Sequence, residues 1–462
     1  MVMAKAFTSI PNLWSLTELQ RLTDAQRGSA VPESCDAVTR LSIDSRTVQP
    51  GDLFIALPGD PGERFTATRR SSRDGIDFVA SAQANGAIAA LVHREVAAPI
   101  DQLLVPDTYA ALWAVGAGAR KRLTAPVVAI TGSSGKTTAK HFLAYALDAW
   151  VPPGSLNNHI GVPLSLANAD PAAAAYVFEI GTNHPGEIGP LSEMVSPDLA
   201  LLLNVHSAHL ENFADRAALF SEKKSIFQGL SAVNLKVSED VLGLDSHSFG
   251  FTFDADCRIV SLHHDYADLN LFGQRLRARV PGGGSHRALT MAGTVLTVHL
   301  LGTDLARALE IPSDVIPAGR GNLIRCGDIR LWDDSYNANP ESMQAALDWY
   351  IAQDTVATAG RKIAVLGEMF ELGADSEAEH ERIMGYVAGL DEVFWVGAAW
   401  QNTDADSTSA GKHFAAADTA LMDCLIEALR PGDQVMIKGS NGVFWTSQFV
   451  EKLAAQLNEH AK

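Results

Sequence analysis

Cysteine is scarce in this chain: four residues in 462, Cys35, Cys257, Cys326 and Cys424, none at a metal-ligand spacing. That excludes a disulfide-stapled scaffold and a cysteine zinc site, and it reads as buried or free thiols in a reducing compartment. Long apolar runs are also missing. Leu199 to Leu203 has the length of a core strand, whereas a helix needs about 20 apolar residues to cross a bilayer. The N-terminus carries Lys5 but neither a sustained apolar core nor a cleavage site, so no signal peptide is expected. The expected location is cytoplasmic, with no membrane insertion. Basic charge is short as well: 36 Lys and Arg stand against 54 Asp and Glu, a formal charge of −18. A nucleic-acid binder would show the opposite balance. Any anionic ligand must then be drawn by local groups, because the global field opposes it. Sequence repeats and low-complexity segments are absent too. What remains is 47% apolar and 19% charged residues, the composition of a globular protein, with length for about three domains.

The chain is organised around Val127-Val128-Ala129-Ile130-Thr131-Gly132-Ser133-Ser134-Gly135-Lys136-Thr137-Thr138. Four apolar residues, three of them β-branched, predict a strand buried on both faces. A glycine-bracketed turn follows, then a run with Phe142, Leu143, Tyr145 and Ala146 that predicts a helix. Strand, Gly-rich turn, Lys-Thr and helix are the parts of a phosphate-binding loop. Backbone N–H groups at the helix start cradle oxygens, Lys136 adds a point charge, and the Thr137 hydroxyl can ligate Mg²⁺. The motif is shorter than the Walker pattern, since Ile130 stands where that pattern has its first glycine.

Three units follow from the order of patterns. Residues 1–124 contain strand, polar turn and strand over Leu41 to Leu57, then a short helix and strand from Gly75 to Val92. The turn Ser45-Arg46-Thr47 sets two hydroxyls beside a guanidinium, a cradle for a phosphate or a uracil edge, or else a capped turn with a solvated Arg. Pro58 to Arg73, rich in Gly, Pro, Arg and Ser, reads as a mobile loop. Residues 125–315 hold the phosphate loop and a polar loop with Asn157 and Asn158. They also hold the strand Tyr176 to Gly181, interrupted by Glu179 near its carboxyl end, and the strand Leu199 to Val205, followed by His206 and His209. A carboxylate at a strand's carboxyl end suits either Mg²⁺ ligation or a buried ion pair. A helix then carries Lys223 and Lys224, and nothing local marks either lysine. Residues 316–462 alternate strands and helices, with Asp333 to Pro340, Gly367 to Gly373 and Lys438-Gly439-Ser440 at strand ends. That alternation argues a parallel doubly wound sheet.

Taken together, these pieces resemble the Mur ligase family, its D-alanyl-D-alanine-adding branch in particular, over nearly the whole chain. The resemblance rests on Ser45-Arg46 with Pro50 to Phe54, the loop 131–138, Leu156-Asn157-Asn158 with Gly161-Val162-Pro163, and Glu179 to Ile188. Ala208-His209-Leu210-Glu211, Asp333 to Pro340 and Gly367 to Gly373 complete it. It implies an α/β fold of three domains: a smaller α/β N-terminal domain gripping a uridine nucleotide, a central P-loop ATPase-type parallel sheet, and a Rossmann-like C-terminal ligase domain. It implies ATP and Mg²⁺ as cofactors, UDP-N-acetylmuramoyl-tripeptide and D-alanyl-D-alanine as partners, and a monomer. The reaction implied is amide ligation through an acyl phosphate. Lys136, Glu179, His209 and Lys223 would be catalytic, and Thr137, Glu179, His209 and Lys223 would hold the metal, with Lys223 carbamylated and Lys224 its rival in register. ATP would lie on Thr131, Gly132, Ser133, Ser134, Gly135, Lys136, Thr137 and Thr138, with Arg320, Asp334 and Asn337. Ser45, Arg46, Asn157, Asn158 and Lys438 would contact substrate.

The sequence departs from the family at four places. A His-Asn-x-x-Asn element that contacts adenine reads His286-Arg287-Ala288-Leu289-Thr290, and Lys-Gly-Ser-Arg reads Lys438-Gly439-Ser440-Asn441. Asp-Gly-His reads Asp74-Gly75-Ile76, and His159 stands where an acid is common. Two alternatives follow. One is a sister Mur-type or folylpolyglutamate-type ligase with another amine acceptor; the other is a catalytically weak homologue that binds a nucleotide.

Overall fold

The computed structural model describes residues 7–28, 36–61, 71–206, 210–231, 234–353, 360–401 and 411–460. Three sheets carry the fold. The first orders Gln26–Arg27, Asp101–Leu104, Ala89–Val92, Asp52–Ile55 and Arg40–Ser42, parallel except at its outer two-residue strand. Asp52 is fully buried here because Arg40, its register partner, meets it with a buried guanidinium. Part of the stretch read as a mobile loop, residues 62–70, lies outside the described residues.

The central sheet has eight strands. From one edge they run Tyr176–Glu179, Val127–Thr131, Leu199–Leu202, Leu235–Glu239, His247–Gly250 and Cys257–Leu262, all parallel. An antiparallel hairpin, Tyr266–Leu271 and Gln274–Arg279, completes the other edge. All five residues of Val127–Thr131 are buried, and alternation divides them between two cores. Val127 and Ala129 join an apolar cluster shared with Leu41, Leu53 and Leu91 of the first sheet and Leu112 and Val115 of the helix Thr108–Arg120. Val128 and Ile130 face Phe142 and Leu143 of the helix Lys136–Leu147 and Met291 and Val295 of the helix Ser285–Leu300. Each such Val, Leu or Ile contributes roughly 1.5–3 kcal/mol, so the strand that presents the loop is anchored on both faces.

The third sheet orders Asn322–Cys326, Ile329–Asp334, Gln434–Lys438, Lys362–Gly367, Glu392–Val396 and Gly411–Phe414, parallel except for its first pair. Helices cover both faces: Thr419–Ala428 and Phe449–His460 on one, Pro340–Ala352 and Ser376–Met384 on the other. This is the doubly wound pattern, and its strands end toward the same cleft as those of the central sheet. The α/β class expected from the sequence is what the chain adopts.

Candidate functional site

The phosphate-loop strand ends at Thr131, whose hydroxyl donates to the Ile180 carbonyl at 2.7 Å and ties the turn to the edge strand. Gly135, at φ +80°, opens the helix Lys136–Leu147 without a side-chain cap. Only glycine adopts that angle without cost, and the first helical N–H groups are left to a ligand. The next strand's extension braces the outer lip. Asn204 Oδ1 accepts from the Ser134 N–H at 2.9 Å, and the Ser133 hydroxyl accepts from the His206 N–H at 2.8 Å. Lys136 closes the mouth, its Nζ donating to the Gly132 carbonyl at 2.6 Å. Burial pushes its ammonium down to about 8, against the pull of the Glu179 carboxylate.

Glu179 is 1% exposed at the tip of the edge strand. Its Oε2 accepts from the Thr137 hydroxyl at 3.0 Å and its Oε1 from Asn157 Nδ2 at 2.8 Å. Lys140 Nζ lies 3.7 Å from Oε2 and also donates to the carbonyls of Pro152, at 3.2 Å, and of Gly154. The acid thus sits in a buried ion pair with Lys140 and beside hydroxyl oxygens at once. The Ser155 hydroxyl is 3.3 Å from that of Thr137. Thr137, Ser155 and Glu179 offer oxygens alone, the donor set that Mg²⁺ takes when it keeps several waters. Among the described residues no group of three His, Cys, Asp or Glu side chains forms a metal cluster. His209 lies outside the described residues. Lys140 went unremarked in the sequence. It is fully buried, on the same helix as buried Ala139, Phe142 and Leu143.

The helix Arg216–Lys224 separates the two adjacent lysines: Lys223 is 1% exposed and Lys224 is exposed. Burial and the nearby Lys136 charge hold Lys223 well below the usual ammonium range, outweighing Glu222. Glu222 has its own task. Its carboxylate accepts from the N–H groups of Gly186, Glu187 and Ile188 at 2.7–2.9 Å, which fixes the loop before the helix Ile188–Val195.

The opposite wall comes from distant segments. Arg320 Nη2 donates to the Thr137 hydroxyl at 3.2 Å, and its guanidinium stacks 3.8 Å over the Tyr336 ring, which itself meets Trp445 edge-on at 5.1 Å. Lys438 Nζ binds Asp334 Oδ2 at 2.7 Å and the Asn337 carbonyl at 3.2 Å. Arg287 is buried and donates to the carbonyls of Gly282 at 2.9 Å, Arg320 at 3.1 Å and Gly321 at 3.2 Å. Between the walls lie a cavity of about 420 Å³, bordered by Lys136, Thr137, Glu179, Asn157, Asn337 and Phe370, and a smaller one of about 150 Å³. The smaller cavity runs from Ser134 and Gly135 to Glu239, Phe249 and His286.

The structure therefore gathers the loop 131–138, Asn157, Glu179, Arg320, Asp334, Asn337 and Lys438 about one cleft, with Lys223 buried outside the cavity linings but within electrostatic reach of Lys136. Three other predicted site residues stand apart. Ser45 is buried, with its carbonyl accepting from Asn85 Nδ2 at 2.8 Å, and Arg46 is 86% exposed and forked onto Asp44 at 2.6 and 2.9 Å. Asn158 Oδ1 accepts from the N–H groups of Gly161, at 2.8 Å, and Ile160, at 3.2 Å, where the helix Gly161–Ala167 begins.

The Mur ligase middle domain matches residues 130–271, and the Mur ligase glutamate ligase domain matches residues 319–441. The chain is 33% identical to the UDP-N-acetylmuramoyl-tripeptide–D-alanyl-D-alanine ligase of Escherichia coli over 478 residues, covering 96% of this chain and 98% of that one. The Rickettsia prowazekii protein of the same name is 30% identical, over 87% and 92%. Among solved structures, MurF from Acinetobacter baumannii superposes with a TM-score of 0.80 at 29% identity, covering 98% and 99% of the two chains. MurF ligase from Thermotoga maritima in complex with ADP gives 0.75 at 26% identity, over 91% and 98%.

Proposed function

The chain belongs to the Mur ligase family, and from that premise we propose that it joins D-alanyl-D-alanine to UDP-N-acetylmuramoyl-tripeptide at the expense of ATP, in peptidoglycan precursor synthesis. The names of its relatives support the substrates. The observation that carries the chemistry is the buried Glu179 carboxylate bonded to the Thr137 hydroxyl, at the mouth of the loop that Lys136 closes.

The ligation transfers the γ-phosphoryl group of ATP to the peptide's terminal carboxylate. The dipeptide amine then attacks the acyl-phosphate carbonyl, and the tetrahedral intermediate expels phosphate. Each step concentrates negative charge where water is excluded, so positioned cations and N–H groups lower the barrier. The loop N–H groups hold phosphate oxygens. Lys136 exchanges the Gly132 carbonyl for a phosphate oxygen, and Arg320 brings a guanidinium from the opposite wall. Asn157 orients Glu179 through its amide. Thr137 and Glu179 fit Mg²⁺, with His209 as a further ligand, and when bound the ion supplies neutralisation of phosphate charge. Closure of the C-terminal domain on the cleft would keep water from the acyl phosphate.

Lys223 is assigned as the carbamylated lysine. Addition of CO₂ needs a neutral amine, and burial favours that form of Lys223, whereas Lys224 lies exposed on the helix. The product is an anionic oxygen donor in place of a repelling cation. The uridine end is assigned to the first domain, residues 1–124, with Ser45 and with Arg46, whose exposed fork can exchange Asp44 for a phosphate. Residues 125–315 then hold ATP, and residues 316–462 complete the ligase site with Asp334, Asn337 and Lys438. All the groups named come from one chain, so a monomer suffices.

A phosphate-release panel tests the reading. Release should require ATP, UDP-N-acetylmuramoyl-tripeptide and D-alanyl-D-alanine together. Equal release with another amine in place of the dipeptide points to a sister ligase, and nucleotide binding with no release under any combination sinks the assignment.

A further inference from the structure

Glu239 ends the strand Leu235–Glu239, and in the parallel register its partner on the next strand is Phe249. Both line the 150 Å³ cavity that starts at the phosphate loop, and Leu289 and His286 face them from the helix Ser285–Leu300. Phe249 and Leu289 give the cavity apolar sides, which suit the faces of a planar ring; a ring's polar edge then needs a partner. Glu239 is 9% exposed, and among the described residues no hydrogen bond reaches its carboxyl group. A buried acid without a protein partner is costly, and one that opens on a cavity is satisfied by what enters it. Burial, with Asp240 beside it, pushes this acid up to about 7. Near neutrality it is therefore held in part as the neutral carboxylic acid, which has one O–H donor and one carbonyl acceptor. Arg287 and Thr290 offer nothing comparable: the guanidinium is committed to backbone carbonyls, and the Thr290 hydroxyl donates to the His286 carbonyl at 3.2 Å.

We propose that Glu239 reads the six-position edge of the nucleotide's purine, with Phe249 and Leu289 against its faces. The assignment rests on the reading of this cleft as the ATP site and adds the group that selects the base. The carbonyl oxygen of the acid accepts from the 6-amino group of adenine, and its O–H donates to the adjacent ring nitrogen. A purine without the 6-amino group loses the first of these bonds.

Calorimetric binding of ATP, purine riboside triphosphate (which lacks the amino group) and 2′-deoxy-ATP, with Mg²⁺, tests this on the wild type and on Glu239→Gln and Glu239→Leu. One hydrogen bond between partners is worth about tenfold in affinity, so the wild type should prefer ATP to the 6-unsubstituted analogue by about that factor. Glu239→Gln keeps the preference, because an amide presents the same donor and acceptor. Glu239→Leu should bind both equally, each more weakly than the wild type binds the analogue because both hydrogen bonds are gone, with unchanged circular dichroism. Undiminished ATP preference in Glu239→Leu overturns the proposal. So does a variant that loses discrimination against 2′-deoxy-ATP instead, since the acid would then be reading the ribose. A wild-type chain that binds no triphosphate overturns the ATP site itself and this assignment with it.

Discussion

The cleft has two walls built on different principles. On one side, Lys136, Thr137 and Lys140 come from the first turns of a single helix, and Glu179 and Asn157 reach them from the adjoining strand and loop. Charges there are matched before any ligand arrives. On the other side, Arg287, Arg320, Lys438 and the segment with Asp334 and Tyr336 come from separate stretches, joined by hydrogen bonds that span 33 and 104 residues of sequence. The first wall is preorganised within one sheet; the second exists only while the helix Ser285–Leu300, the linker at 320–321 and the third sheet keep their mutual positions. Preorganised charge suits transition-state stabilisation, whereas an assembled wall suits closure around a substrate.

The largest effect should come from the preorganised side. Lys136→Ala removes the charge that the proposed mechanism brings to the transferring phosphoryl group. Its kcat should fall by about 10³- to 10⁵-fold, the scale found when such a cation is lost, with unchanged circular dichroism. A fall of less than tenfold would erase the contrast between the walls. If Lys223 carries the proposed carbamate, Lys223→Ala should be nearly as severe, with part of the activity restored by short carboxylic acids that occupy that group's place. Unaltered turnover in that variant would discard the carbamate.

Lys140→Met probes the matched charges themselves. It leaves Glu179 buried without its cation, and breaking one partner of a buried pair costs about 3–5 kcal/mol. Urea unfolding should register that loss, and adding Glu179→Gln should recover much of it, as a double-mutant cycle would reveal. If the two losses are simply additive, the charges are not coupled and the wall is less preorganised than the geometry implies. On the assembled side, Arg287→Ala cuts the tie between the helix and the linker that carries Arg320. Hydrogen bonds from a charged group are worth about 1.5–3 kcal/mol, so stability should fall by that order. Arg287→Lys should not repair it, because an ammonium on a single point cannot fork across the four carbonyls of Gly282, Gly283, Arg320 and Gly321. A fully active, fully stable Arg287→Ala would show that the second wall holds without this tie.

The same contrast decides what could be read from the sequence. The phosphate loop was legible because strand, turn and helix are contiguous, so eight residues state both shape and chemistry. Glu179 was legible because a carboxylate at the end of an apolar run is out of place. Lys140 was missed because a lysine four residues after another reads as a solvated helix face, and only the third dimension puts Pro152, Gly154 and Glu179 around it. Glu239 beside Asp240 reads as ordinary surface acid, since nothing local says that Phe249 and the helix Ser285–Leu300 close over it. Lys223 could not be told from Lys224 without helical phase. The Lys438–Asp334 pair joins two segments about a hundred residues apart, so two residues expected to hold ligands separately hold each other.

The smallest effect tests where the first wall ends. Asn158 sits one residue after Asn157, which serves Glu179, yet its side-chain oxygen is committed to the N–H groups of Ile160 and Gly161. Those donors open the helix Gly161–Ala167, whose seven residues are all buried between the first two sheets. Losing an Asn that caps a helix start costs typically about 1 kcal/mol, so Asn158→Ala should lower the urea midpoint modestly and leave the KM for UDP-N-acetylmuramoyl-tripeptide unchanged. Asn157→Ala should do the reverse, sparing stability and lowering kcat by misorienting Glu179. A tenfold rise in KM in Asn158→Ala would instead extend the substrate-binding surface one residue further. The boundary between scaffold and chemistry would then fall after residue 158 rather than before it.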